Sequence, residues 1–317
     1  MNIVLLESLA VPQETIDQLA APLTAAGHTF CSYSDGEKDP QVLIQRAKDA
    51  DILMVASSPL PAQVVAACEH LKYISVAFTG VDHIPMDLCR ERGIQVSNCA
   101  GYSNESVAEL VFGLVLSLAR QIPACDTAVR TGKDKSGLVG YEIRGKKFGI
   151  VGTGAIGLRT AQLAKAFGCQ LYAYSRTQRK EALELGITYL SLEELMRTCD
   201  IISLHVPSNG STQHLISKEM IQLMKPTALL INTARGPVVD NAALAQALKE
   251  GKIGGAGIDV FEVEPPIPQD HPLCDAPRTI LTPHVAFATA QSMVVRSQMA
   301  FENVSLYLQG TPHNLMK

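Results

Sequence analysis

None of the eight cysteines stands in a CxxC pair, and the eight histidines and eight cysteines show no metal-ligand spacing. A metal site and a disulfide framework are therefore not expected. Several cysteines sit inside apolar runs, which suits reduced packing residues of a cytoplasmic protein. A basic excess is also absent. Lys and Arg number 27 against 31 Asp and Glu, for a net charge of −4, so neither nucleic acid nor an anionic membrane is an expected partner. The longest apolar run, Leu110 to Ala119, is too short to span a bilayer. Met1 to Leu6 is apolar but lacks a basic flank and a small-residue cleavage site, so it reads as a first strand and not as a signal peptide. No repeat or low-complexity segment is visible. With 47% hydrophobic and only 18% charged residues, the chain is not disordered, and 317 residues leave room for two domains.

What is present is a strand–glycine–helix–strand unit. Phe148-Gly149-Ile150-Val151 is a short apolar run, followed by Gly152-Thr153-Gly154-Ala155-Ile156-Gly157, which fits GxGxxG. Leu158 to Phe167 reads as a helix closed by Gly168, and Gln170 to Tyr174 as the next strand. This is the layout of a dinucleotide-binding βαβ unit. Gly152 permits the tight turn, Gly154 a close approach of backbone to a pyrophosphate, and Gly157 close packing of helix on strand. An acidic residue at the end of the second strand would hydrogen-bond the ribose of NAD. Here that position is Ser175, followed by Arg176, with Arg179 and Lys180 close by. Hydroxyl and guanidinium accept a 2′-phosphate that a carboxylate repels, so NADP is expected, with NAD as the alternative.

The residues before this unit alternate strand and helix, as a complete parallel α/β domain does. Ser103 to about Arg130 reads as one long helix, apolar almost all round over 107–118, and so buried between domains or against another subunit. After Arg176 the alternation resumes. Strands are expected at 200–206, 228–232, 255–260 and 279–281, and an amphipathic helix at 289–308 that packs back on the first domain. The expected division is a substrate domain at 1–100 and 286–317 around a dinucleotide domain at 101–285.

Ligands of open α/β sheets bind beyond the carboxyl ends of the strands. Three groups fall there: Thr233-Ala234-Arg235-Gly236, Glu262-Val263-Glu264-Pro265-Pro266, and Pro283-His284-Val285. Arg235, Glu264 and His284 together supply what a 2-oxo acid needs. The cation binds the carboxylate and polarises the carbonyl, the imidazole moves a proton, and the carboxylate orients the imidazole.

With these residues, the chain resembles the D-isomer-specific 2-hydroxyacid dehydrogenases over essentially its full length. The resemblance rests on the glycine motif, Asn98 to Glu109, His205-Val206-Pro207 with Thr212, Asn232 to Gly236, and Asp259 to Pro265 followed by Thr282-Pro283-His284. It implies two doubly wound parallel-sheet domains, a Rossmann cofactor domain inserted into a flavodoxin-like substrate domain. It also implies an active site in the cleft between them, whose closure excludes water. The implied catalytic residues are Arg235, Glu264 and His284. The implied cofactor contacts are Gly152, Gly154, Ala155, Ile156, Gly157, Ser175, Arg176, His205, Val206, Pro207, Thr212, Thr233, Ala234, Arg235, Asp259 and His284, with Asp259 near the nicotinamide amide. Thr79 and Gly80 would offer backbone N–H groups to the substrate carboxylate, beside Arg235 and His284. A homodimer through the helix near 103–120 is implied as well.

The chain departs from the common pattern at Ser175-Arg176, as NADP-using glyoxylate/hydroxypyruvate reductases of the family do. It departs again at Asn104, where a threonine is common, and in the loop Thr131 to Arg144, where the family often places a tryptophan and this chain has none. No regulatory domain is expected after residue 317, so serine feedback through one is not expected either. The resulting expectation is reduction of a small 2-oxo acid, glyoxylate or hydroxypyruvate, with NADPH. Two rivals remain at this point. One is a short NAD-linked 3-phosphoglycerate dehydrogenase, disfavoured by the uncharged run Ala77-Phe78-Thr79-Gly80. The other is a non-catalytic, dinucleotide-sensing corepressor-like protein on the same fold, which predicts interaction tails.

Overall fold

The structure, a computed structural model, describes residues 1–264 and 266–316. Pro265, expected in the loop after the Gly255 strand, and Lys317 lie outside them. The chain divides into two compact units, 1–103 with 288–317, and 104–287.

The first unit holds a parallel sheet of β1 (Asn2–Leu5), β2 (Thr29–Ser32), β3 (Ile52–Val55), β4 (Tyr73–Val76) and β5 (Gln95–Ser97) in the order β2-β1-β3-β4-β5. That is the flavodoxin-like order. β3 and β4 are buried at every position, which explains why they read as unbroken apolar runs. The helix Ala290–Leu308 belongs to this unit. It is capped by Thr289, whose hydroxyl accepts from the Ser292 N–H at 3.1 Å. Tyr307 stacks on Tyr73 with centroids 4.1 Å apart, and Ser75 donates its hydroxyl to the Ala300 carbonyl at 2.9 Å.

The second unit holds β6 (Lys147–Val151), β7 (Gln170–Tyr174), β8 (Thr188–Tyr189), β9 (Ile201–Leu204), β10 (Leu229–Asn232), β11 (Gly255–Ile258) and β12 (Thr279–Leu281). They pair in parallel in the order β12-β11-β10-β9-β6-β7-β8, the doubly wound Rossmann order with one further strand. Successive side chains point to opposite faces, and each face carries its own core. Phe148, Ile150, Ile201, Leu229 and Ile231 meet Val111, Phe112, Val115 and Ala161 on one side. Val151, Ile202, Leu204, Leu230 and Ile258 meet Leu195, Ile221 and Leu244 on the other.

The long helix expected over 103–130 is two helices, Asn104–Ala119 and Ile122–Arg130, bent by 59° at the break. The cause is Pro123, which has no N–H to give the Ala119 carbonyl four residues back. That carbonyl instead accepts from the Tyr141 N–H at 3.0 Å, and Gln121 turns the chain in the left-handed region at φ 52°. The first of these helices is apolar because it packs on β10, β11, β12 and the helix Ala155–Ala166 of its own unit. Burial between domains or against a second subunit is not needed to explain it. Gly257 permits the contact, since a Cβ there would come 2.9 Å from Leu114 Cβ. Among the described residues no single helix is long and apolar enough to cross a membrane.

Candidate active site

The glycine turn joins β6 to the helix Ala155–Ala166, which starts three residues earlier than the sequence suggested, directly after Gly154. Gly152 has φ 100°, a conformation costly for any residue with a Cβ, and such a Cβ would also strike the His205 carbonyl. Gly157 lies so close to the turn that a Cβ would come 2.0 Å from the Gly152 carbonyl oxygen. At Gly154, by contrast, no atom lies within 4 Å of where a Cβ would be. The helix begins beside this open position, and its N-terminal dipole favours an anion there. The Gly152 N–H donates to the Tyr174 carbonyl at 2.8 Å, which ties the turn to the end of β7.

Ser175 is half-buried just past β7, and Arg176 and Arg179 are exposed. No carboxylate pairs with either arginine among the described residues, whereas Lys180 lies 3.5 Å from Glu184. On the other side of β6, His205 follows β9. Its Nε2 is 2.9 Å from Ser203 Oγ, and burial pushes its pKa down to about 3, so the ring is neutral. Val206 and Pro207 follow, half-exposed and exposed. Thr212 is spent within its own loop: its hydroxyl donates to the Pro207 carbonyl at 2.6 Å and accepts from the Asn209 N–H at 2.9 Å. The Thr233 hydroxyl is buried and finds no partner among the described residues.

β10, β11 and β12 are neighbours in register, with Asn232 opposite Ile258 and Ile258 opposite Leu281. The residues following them therefore emerge at one edge. Asn232 is fully buried and shapes the first turn. Its side chain donates to the Arg235 carbonyl at 2.9 Å and accepts from the Ala234 N–H at 3.0 Å. The half-buried Arg235 donates from Nη1 to the Ala234 carbonyl at 2.8 Å. Gly236 packs on the backbone of Phe261 and Glu262, where a Cβ would overlap the Phe261 carbonyl. The turn carrying Arg235 thus abuts the loop carrying Glu264.

His284 closes the arrangement. Its Nδ1 is 2.7 Å from Glu264 Oε2, and its ring meets Phe287 edge-on, with centroids 5.3 Å apart. Its backbone is left-handed, at φ 55°, and Asp259 holds it there. The Asp259 carbonyl accepts from the His284 N–H at 2.8 Å. Asp259 Oδ1 accepts from the Thr282 hydroxyl at 2.5 Å and the Val285 N–H at 2.9 Å, and Oδ2 accepts from the Ala286 N–H at 2.9 Å. The sequence placed Asp259 beside the nicotinamide, and its fully buried carboxylate is engaged with this loop.

Thr79 and Gly80 belong to the first unit, just past β4. The Thr79 carbonyl accepts from the Asn98 side chain at 2.7 Å. Sequence reasoning passed over Asn232, Thr282, Phe287, Ser203 and Tyr189, which all support side chains or loops it did identify. Asn232 and Thr282 lay inside the segments that carried the resemblance, and that position was the available signal.

A Rossmann-ordered sheet, an open glycine turn at a helix N-terminus and the buried, unpartnered Thr233 hydroxyl fit a dinucleotide. The imidazole–carboxylate pair beside the arginine's turn fits acid–base chemistry on an oxidoreductase substrate. Residues 112–286 match the family described as D-isomer specific 2-hydroxyacid dehydrogenase, NAD binding domain. The glyoxylate reductase of Korarchaeum cryptofilum is 40% identical over 284 residues, covering 87% of this chain and 85% of that protein. Among solved structures, an acyclic imino acid reductase in complex with NADPH and D-Arg superimposes with a TM-score of 0.89 at 30% identity over all of both chains. The D-lactate dehydrogenase of Aquifex aeolicus, complexed with NAD and lactic acid, gives 0.85 at 32% identity, covering 97% of this chain and 96% of that one. The chain belongs to the D-isomer-specific 2-hydroxyacid dehydrogenase family, enzymes that use a nicotinamide dinucleotide.

Proposed function

We propose that the protein reduces a small 2-oxo acid, glyoxylate or hydroxypyruvate, with NADPH. The observation that carries the reading is the His284–Glu264 pair at 2.7 Å, in the loops that follow adjacent strands beside the turn of Arg235. A bound reduced nicotinamide supplies the hydride. Arg235 binds the substrate carboxylate and stabilises negative charge on the carbonyl oxygen. His284 delivers the proton to that oxygen from Nε2, because Nδ1 faces Glu264. Glu264 fixes the orientation of the ring through Nδ1. The turn Gly152–Gly157, with the N–H groups of Ala155 and Ile156, holds the pyrophosphate. Thr233 supplies a hydroxyl to the same ligand.

The NADP preference rests on Ser175, Arg176 and Arg179 at the end of β7, where a carboxylate would select NAD. All eight cysteines are unpaired, which suits a reducing cytoplasm. Ile122, Val129 and Val139 are exposed apolar side chains in and just after the helix Ile122–Arg130, and they support self-association as a homodimer. The test is a panel of small 2-oxo acids, including 3-phosphohydroxypyruvate, assayed with each cofactor. Highest kcat/KM for glyoxylate or hydroxypyruvate with NADPH is expected. Preference for the phosphorylated acid with NADH would overturn the reading in favour of the phosphoglycerate rival.

A further inference from the structure

Tyr189 makes two contacts that meet on one oxygen. It ends β8, an edge strand of two residues in which Thr188 pairs with Tyr172 and Tyr189 with Ala173. Its hydroxyl donates to Thr153 Oγ1 at 3.0 Å and accepts from the Arg179 N–H at 3.1 Å. Thr153 is the middle residue of the glycine turn and is buried. Arg179 precedes the helix Lys180–Glu184 and ends the loop that begins at Ser175. One phenolic oxygen therefore joins the turn placed at the pyrophosphate to the loop that presents Arg176 and Arg179.

We infer that Tyr189 is a positioning residue for cofactor selection. It holds the Ser175–Arg179 loop in fixed register with the glycine turn, so that a 2′-phosphate meets cations already in place. The inference rests on the proposed NADP reading. An exposed loop carrying two long arginine side chains loses conformational entropy when it orders around a phosphate. Anchoring its backbone in advance lowers that cost, and only a ligand bearing the 2′-phosphate gains from it. β8 itself is too short and too near the sheet edge to supply the anchor through strand pairing alone.

The test compares Tyr189→Phe and Arg176→Ala with the unaltered enzyme. NADPH and NADH binding is followed by cofactor fluorescence, with adenosine 2′,5′-bisphosphate and adenosine 5′-monophosphate as competitors. Tyr189→Phe keeps the ring and the packing. It is expected to weaken NADPH and the bisphosphate by about ten-fold, because the loop must then be ordered on binding, while NADH and the monophosphate change by less than about two-fold. KM for NADPH rises and kcat at saturation is kept. If Arg176→Ala selectively loses NADPH while Tyr189→Phe binds both cofactors normally, or weakens both equally, the positioning role is overturned and the NADP reading stands. If the unaltered enzyme binds NADPH no tighter than NADH, and Arg176→Ala changes neither, both fall together.

Discussion

His284 Nδ1 lies 2.7 Å from Glu264 Oε2, although the two residues are 20 positions apart and approach the site from separate strand ends. The histidine side chain is mostly shielded, at 12% exposure, whereas Glu264 is 62% exposed. The carboxylate thus reaches in from solvent to orient a ring already enclosed by the fold. Replacing Glu264 by glutamine keeps the size and one acceptor but removes the carboxylate that faces Nδ1. Steady-state reduction of hydroxypyruvate should show kcat lowered by about ten-fold or more, with dinucleotide affinity unchanged. An unchanged kcat would remove Glu264 from the proton-transfer unit.

Asp259 gives a stability prediction. Its buried carboxylate accepts from one hydroxyl and two backbone N–H groups, and it shapes the loop in which His284 is left-handed. Asparagine would turn an amide N–H₂ toward at least one of those donors. Hydrogen bonds to charged groups contribute about 1.5–3 kcal/mol each. The thermal midpoint of Asp259→Asn should therefore fall by about 5 °C or more, and kcat should fall with it as His284 loses its fixed position. Calorimetry and turnover measured on the same sample check both halves.

His205 gives a pH prediction. Its folded-state pKa is pushed down to about 3 from an ordinary 6.5, because burial disfavours the charged ring. Between those values the unfolded chain takes up a proton that the folded chain refuses. Stability is therefore retained above the ordinary value and declines as pH falls below it. His205 as a residue is half-buried, which damps the effect. Thermal midpoints measured between about pH 7 and pH 5 should fall less steeply in His205→Gln than in the unaltered protein. Parallel curves would show that His205 titrates normally.

The sequence made the glycine turn and the strand ends legible for a physical reason. Parallel strands covered on both faces are unbroken apolar runs, and their carboxyl ends are where ligands bind. Arg235, Glu264 and His284 lie three, six and three residues past the ends of β10, β11 and β12. Other features were hidden. Pro123 was visible, but the apolar periodicity on either side of it concealed the break, whose evidence is the Ala119 carbonyl turning to Tyr141. β8 is two residues long, too short for alternation to register, so Tyr189 went unnoticed. The carboxylate partners of Asp259 include the backbone N–H groups of Val285 and Ala286, which carry no residue-type signal at all.

In the proposed reaction His284 gives the proton that completes reduction of a 2-oxo acid carbonyl. The most direct test is the rate of NADPH oxidation by His284→Ala with saturating hydroxypyruvate, alongside a binding titration of NADPH to the same preparation. Turnover is expected to fall by about 100-fold or more with the dinucleotide still bound. Turnover near that of the unaltered enzyme, with binding intact, would contradict it.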